Sequence, residues 1–201
     1  MDPAALLALS PIDGRYRKGA DPLRAVLSES GLIRERVRIE ASWLLSLAES
    51  VPQLLKEPLA ESSKQLAVSL AMEPGEDAAA AVKAIESRIN HDVKAVEYFV
   101  REKLAASGAT PAVLELVHFG CTSEDINNLA YARMLRAARA VLTGELESVA
   151  QSTATFFHAL SDASSAGKKV SIRNSCSVTS FGVPSVIIVL NMRSSRRSTR
   201  M

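Results

Sequence analysis

The side chains best suited to chemistry fall in three short stretches. Asn90-His91-Asp92 sets an imidazole between an amide and a carboxylate, and a flanking carboxylate can orient such a ring. His118 stands four residues ahead of Thr122-Ser123, two hydroxyls at the predicted start of a helix. The free backbone N–H groups there favour a phosphate or a carboxylate. Arg15-Tyr16 adds a guanidinium fork and a phenol on a loop held by Pro11 and Gly14, and the fork suits the same oxyanions. Each stretch also has an ordinary structural reading: a solvent-facing histidine at a helix end, a plain N-cap, a surface arginine beside a half-buried tyrosine. A Ser-His-Asp hydrolase lacks its nucleophile-elbow pattern here. Neither a Gly-rich phosphate loop nor His-x-x-x-His spacing occurs, and Cys121 and Cys176 make no zinc pattern, so no metal and no cofactor is expected.

The elements that must position these groups read as helices. Ser10–Ala20 is a structured loop with a turn at Asp13-Gly14. Asp21-Pro22 then predicts a helix start, with Asp21 as N-cap and Pro22 at the first helical position. Gly31 interrupts, and a longer helix is predicted over 32–49, its stripe being Ile33, Val37, Leu44 and Leu47. Arg34, Arg36, Arg38 and Glu40 supply charge around that stripe. Further helices are predicted over 61–72, from Glu76-Asp77 to Ile89, over 93–104 and over 112–117. The last is long, from Glu124 to at least Phe157, with Ile126, Leu129, Leu135, Ala138, Leu142 and Val149 on its buried side. After about Leu160 serines interrupt every apolar run, and the chain ends in Arg193-Ser194-Ser195-Arg196-Arg197-Ser198-Thr199-Arg200. Such a basic, low-complexity tail is expected to be irregular or disordered. Val178–Leu190 has strand propensity but no obvious partner.

Composition agrees with helices. Of the 201 residues 47% are hydrophobic and 4% aromatic, a balance that favours an all-α class over a sandwich or barrel. A net charge of +2 is too small to argue for nucleic acid. The N-terminus is acidic where a signal peptide needs Lys or Arg, and no run approaches the 18–20 apolar residues of a membrane span. No membrane and no nucleic-acid partner is therefore expected, and the two lone cysteines fit a reducing, cytoplasmic setting.

Three segments in order, Ser-Pro-Ile-Asp-Gly-Arg-Tyr at 10–16, Asn-His-Asp-Val-Lys-Ala-Val-Glu-Tyr-Phe at 90–99 and His-Phe-Gly-Cys-Thr-Ser-Glu-Asp-Ile-Asn-Asn at 118–128, resemble the adenylosuccinate lyases of the fumarase/aspartase superfamily. The similarity covers about residues 9–155. It implies an N-terminal helical domain (1–111), the start of a central helical bundle (112–160) and an unrelated Ser/Arg-rich tail (161–201). It also implies a β-elimination that releases fumarate from adenylosuccinate, giving AMP, and from the succinylated carboxamide ribotide of purine biosynthesis. Such a reaction needs a general base at the carbon beside a carboxylate and a general acid at the leaving nitrogen. The resemblance places Arg15 and Tyr16 at nucleotide-binding positions and Asn90, His91 and Asp92 in a substrate-contacting segment. It gives His118 to the substrate phosphate, and Thr122 and Ser123 to the succinyl carboxylates. The family is tetrameric, and each site draws on three subunits.

The chain departs from that pattern in its second half. The family's Thr-His-Gly-Gln segment, with the general-acid histidine, does not occur. The Ser-Ser-x-Met-Pro-x-Lys-x-Asn loop with the general-base serine does not occur either, and His158 lacks the Gly-Gln context. No residue is assigned as catalytic acid or base. The change of composition near residue 160 points to a frameshift, a mis-spliced transcript or a faulty gene model, and to a truncated chain inactive alone. Two alternatives stand beside this reading: a non-catalytic fragment that binds full-length subunits or nucleotide, and another superfamily lyase such as argininosuccinate lyase.

Overall fold

A computed structural model describes residues 7–55, 58–75 and 77–165 with their side chains, and residues 170–178 and 184–190 as backbone. From 7 to 165 every regular element is helical, so the all-α class holds. The chain falls into two compact units, Leu23–Arg139 and the pair of segments Met1–Pro22 and Ala140–Met201.

The first helix, α1 (Arg17–Leu27), begins four residues before the predicted Asp21 cap and carries Pro22 inside it. The turn explains the early start. The amide of Tyr16 donates to Pro11 O at 2.8 Å and that of Ala20 to Tyr16 O at 3.1 Å, so helical bonding is running before Asp21 is reached. Helix α2 (Glu29–Ser50) also starts earlier than expected, with Ser28 as its cap, accepting from the Gly31 amide. Gly31 is therefore a buried residue within the first turns of α2, not an interruption. It is glycine for want of space, because a Cβ there would lie 2.3 Å from the Val26 carbonyl oxygen.

A 3-10 turn (Pro52–Leu54) leads to α3 (Glu61–Met72), α4 (Ala78–Ile89), α5 (Asp92–Ala106) and the short α6 (Pro111–Leu114). Helix α2 packs against α3, α4 and α5, and α5 against α3, α4 and α6. The main core gathers Ile33, Val37 and Leu44 of α2, Leu70 of α3, Val82 and Ile85 of α4, and Val96, Phe99 and Val100 of α5. A second cluster joins Leu32 and Ile39 of α2, Val93 of α5, and Ile126, Ala130 and Met134 of the long helix α7 (Ser123–Ser165). At roughly 1.5–3 kcal/mol for each fully buried large aliphatic chain, these two clusters dominate the stability of the Leu23–Arg139 unit.

Helix α7 differs from expectation in which face it buries. Ile126 and Ala138 are buried as predicted, but Leu129, Leu135, Leu142 and Val149 are exposed, as are Leu146 and Phe157. The buried residues Ile126, Ala130, Met134 and Ala138 follow a four-residue step. Leu135, Leu142 and Val149 follow a seven-residue step on another stripe. Helical periodicity makes a residue a candidate for burial without naming the surface that buries it. Leu135 is 64% and Leu146 69% exposed.

Beyond α7, the partner that Val178–Leu190 lacked in the sequence is the segment just before it. Strand β1 (Val170–Val178) runs antiparallel to β2 (Pro184–Leu190), with Val170 opposite Leu190 and Asn174 opposite Val186. The run Val186-Ile187-Ile188-Val189 has the β-branched character that favours such pairing. Among the described residues of the tail expected to be irregular, α7 continues to Ser165 and this hairpin follows. The Arg/Ser-rich end, 191–201, lies outside the described residues.

Gly31→Ala is expected to lower stability by about 1–3 kcal/mol, the cost of forcing a methyl into a filled space. Urea unfolding followed by circular dichroism measures it, and an unchanged midpoint would contradict the close approach at Val26.

Candidate functional site

Helix α2 carries two charged residues that its amphipathic pattern assigns to solvent but the fold buries. Arg36 is 4% exposed and Glu40 0%. They lie one turn apart, so their side chains leave α2 on one face. Arg36 reaches two separate parts of the chain. Its Nη2 meets Asp92 Oδ2 at 2.8 Å, and its Nε donates to Asn127 Oδ1 at 3.0 Å. Glu40 reaches a third, its Oε1 lying 2.6 Å from His118 Nδ1. One turn of α2 thus ties Asp92, His118 and Asn127 together. The sequence reading set both around the apolar stripe without assigning either a partner. The signal for burial was their register, since Glu40 sits on the stripe Ile33-Val37-Glu40-Leu44 and Arg36 on Leu32-Arg36-Ile39.

The Asn90-His91-Asp92 segment makes the corner between α4 and α5. Asn90 ends α4 in the left-handed region at φ 53°, a conformation asparagine tolerates better than most residues. His91 is the N-cap of α5, its Nδ1 accepting from the Lys94 amide at 3.2 Å. The ring is exposed and its Nδ1 is occupied, which is the ordinary structural reading of this histidine. Asp92 follows in the first turn. Partial burial pushes its carboxyl up, but the Val93 amide and the Arg36 guanidinium outweigh burial and hold it below the ordinary value.

The second segment folds back through two left-handed residues, His118 at φ 64° and Gly120 at φ 73°. A non-glycine residue in that region carries strain, and two bonds fix the turn: His118 to Glu40, and Trp43 Nε1–H donating to Phe119 O at 2.8 Å. Burial pushes the Glu40 carboxyl up against the lowering effect of His118, and the nearby Glu97 adds to the rise. Thr122 precedes α7. Asp125 Oδ2 accepts from both the Thr122 amide and the Thr122 hydroxyl, each at 2.8 Å. These bonds hold the Asp125 carboxyl below its ordinary value. The amide bond is the half of a capping box in which the third helical residue reaches back to the cap. Ser123 is the first residue of α7.

Arg15 and Tyr16 belong to the other compact unit, where both are exposed on the turn before α1. Beside the Thr122 cap opens a cleft of about 500 Å³, lined by Arg38, Trp43, Cys121, Asp125, Ile126 and Arg133 among others. Burial, with Glu40 and Asp125 nearby, pushes the Cys121 thiol up, so it is no thiolate nucleophile at neutral pH. Among the described residues no group of three or more His, Cys, Asp or Glu side chains is arranged to hold a metal. No described helix is long and apolar enough to cross a membrane.

What converges on α2 is therefore a pair of loops rich in oxyanion-binding groups, each tied by a buried charge. Residues 14–159 match the lyase family. The chain belongs to that family. It is 45% identical over 139 residues to the adenylosuccinate lyase of Haemophilus influenzae, a stretch that covers 69% of this chain and 30% of the relative. The adenylosuccinate lyase of Escherichia coli strain K12 gives 45% over 141 residues, 69% and 30%. That of Vibrio cholerae gives 43% over 150 residues, 74% and 33%. The chain thus spans about a third of the length of these lyases.

The lowered Asp92 carboxyl gives a signed expectation. Its contribution to stability is present above the ordinary carboxylate pKa and is lost as pH falls through the lower folded value. Because Asp92 is half exposed, that contribution is about 1 kcal/mol or less. Urea midpoints measured from about pH 7 to about pH 3 should fall more steeply for the native chain than for Asp92→Asn. Parallel curves would remove the Arg36–Asp92 pair from the account.

Proposed function

We propose that this lyase-family chain is the N-terminal portion of an adenylosuccinate lyase, and that it forms the nucleotide- and dicarboxylate-binding edge of the active site. The observation that carries the reading is the convergence of Asp92, His118 and Asn127 on Arg36 and Glu40. Asp92 and His118 lie in two of the three segments that carry the resemblance, Asn127 opens the Asn-Asn that is specific to adenylosuccinate lyases, and the relatives named above are adenylosuccinate lyases.

In this reading the substrate is a purine nucleotide carrying a succinyl group. Arg15, Tyr16 and His118 serve the nucleotide, His118 at its phosphate, while Asn90, His91 and Asp92 contact substrate. Thr122 and Ser123 offer hydroxyls and the first amides of α7 to the succinyl carboxylates, where the helix dipole favours negative charge. The Thr122 hydroxyl already donates to Asp125, so a carboxylate bound there would compete with that bond. The elimination removes a proton from the carbon beside a carboxylate, breaks the adjacent carbon–nitrogen bond, and returns a proton to the amine as fumarate leaves. The 201 residues hold neither family segment that carries the acid or the base. They are therefore expected to bind without catalysing. Isothermal titration of the purified chain should show AMP binding, and incubation with adenylosuccinate should leave the purine absorbance unchanged. Fumarate release by this chain alone would overturn the assignment of the chemistry to missing segments, and absence of AMP binding would overturn the binding edge.

A second reading, association with other copies or with full-length subunits, is favoured by the apolar stripe of α7. Leu135, Leu142 and Val149 stand exposed at seven-residue spacing, the repeat of a helix–helix seam. Large exposed apolar surfaces mark interaction sites, and the family's tetramer is the assembly this reading implies. Leu135→Glu with Leu142→Glu should convert an associated chain to monomer in sedimentation velocity while leaving its helical content intact. A native chain that already sediments as monomer would contradict this reading.

A further inference from the structure

Glu40 has no role in the family assignment above, yet it is the most enclosed charged side chain described. It is 0% exposed, its Oε1 is 2.6 Å from His118 Nδ1, and its Oε2 is buried without a partner. His118 itself is 18% exposed, so its ring borders solvent while one edge is held inside. Its backbone is in the left-handed region at φ 64°. A buried carboxylate with one bare oxygen is costly. The arrangement that leaves no net charge buried places one proton between Oε1 and Nδ1 and a second on Nε2. Whether the first proton sits nearer oxygen or nitrogen, Nε2 is then a hydrogen-bond donor.

We propose that Glu40 is the positioning residue for His118: it holds the imidazole by Nδ1 and keeps Nε2 protonated, as a donor to the phosphate of the bound nucleotide. The proposal rests on the nucleotide-binding reading of His118 and extends it to a residue of α2. The other titratable groups near the pair fit this assignment. Glu97 on α5 raises the Glu40 carboxyl further, which opposes a net negative charge at the pair. Burial, with Glu40 and Asp125 nearby, pushes up the thiol of Cys121, two residues after Phe119. Asp125, which feels the charge of His118, has its acceptor oxygen committed to Thr122. Arg36, one turn back on α2, is committed to Asp92 and Asn127. Glu40 is left as the group that sets the His118 proton.

Two measurements on the 201-residue chain test this. In the ligand-free protein labelled with nitrogen-15 histidine, the His118 signals near neutral pH should show a proton on Nε2 and a hydrogen-bonded Nδ1. A bare Nε2 with the proton on Nδ1 alone overturns the proposal, and this measurement needs no variant. AMP affinity then follows a double-mutant cycle. His118→Ala and Glu40→Leu are each expected to weaken binding about tenfold, as loss of a charge-assisted hydrogen bond does, and the double variant no more than either single one. Glu40→Met, similar in length and without a hydrogen-bonding group for Nδ1, supplies a second cycle if Glu40→Leu does not fold. Additive losses would make Glu40 a residue of the fold alone and overturn the proposal. If the native chain binds no AMP, the nucleotide reading fails, while the nitrogen-15 measurement still decides what Glu40 does to the ring.

Discussion

The Leu23–Arg139 unit depends on burying two opposite charges on one turn of α2. Arg36 and Glu40 enter the interior beside Ile33, Val37 and Ile39, and each is tolerated there only because it is paired. Their partners are not on neighbouring turns but on segments 56 to 91 positions away in the chain, at Asp92, His118 and Asn127. Removing either charge leaves those partners facing an apolar surface. Replacing a carboxylate or guanidinium by an apolar group would simplify the core, yet it would free the two loops that carry the candidate binding groups. The charges contribute less to net stability than the aliphatic residues around them, and they fix where the loops lie.

That constraint explains why helices so regular produce one local strain. A helix-rich unit closes its corners with left-handed residues, and here they are Asn90, Gly108, His118 and Gly120. At Asn90, Gly108 and Gly120 the residue type suits the conformation. At His118 it does not, and the turn is held by its backbone bonds, by Trp43 at Phe119 O and by buried Glu40 at the ring itself. Functional groups held in such conformations are pre-organised, since little ordering remains to be done when a ligand arrives.

Much of this was legible in the sequence, and the failures share a cause. Helices α3 and α5, the long α7 and the Thr122–Asp125 start were readable because local rules set them: helical spacing, hydroxyls before a helix, acids in its first turn. The start of α1 was not, because Asp21-Pro22 carries a strong local signal that the turn at Ser10–Tyr16 overrides by passing its hydrogen bonds directly into a helix. Arg36 and Glu40 were read only as charge around the apolar stripe of α2, and their burial was not. Their register, on stripes with Leu32 and Ile39 and with Val37 and Leu44, was the signal for burial. What no single chain's pattern discloses is the partner of an apolar stripe. Ile126, Ala130 and Met134 meet α2 and α5, while Leu135, on an equally good helical face, is exposed.

The same logic bears on how a binding edge and a chemical step can be separate in a lyase. Holding a nucleotide phosphate and two carboxylates requires fixed donors, and fixed donors require a rigid, fully paired scaffold. Moving a proton requires a group with an open lone pair or a transferable proton within hydrogen-bond reach of the reacting atom. In the Leu23–Arg139 unit the titratable groups of the cluster are committed: Asp92 to Arg36, Asp125 to Thr122, Glu40 to His118, and the Cys121 thiol is held protonated. None is poised to take a proton from carbon and release it again. The pairings that fix the position of these two loops therefore also commit their carboxylates, so the rigidity of the unit and the freedom to transfer protons are opposed in the same residues.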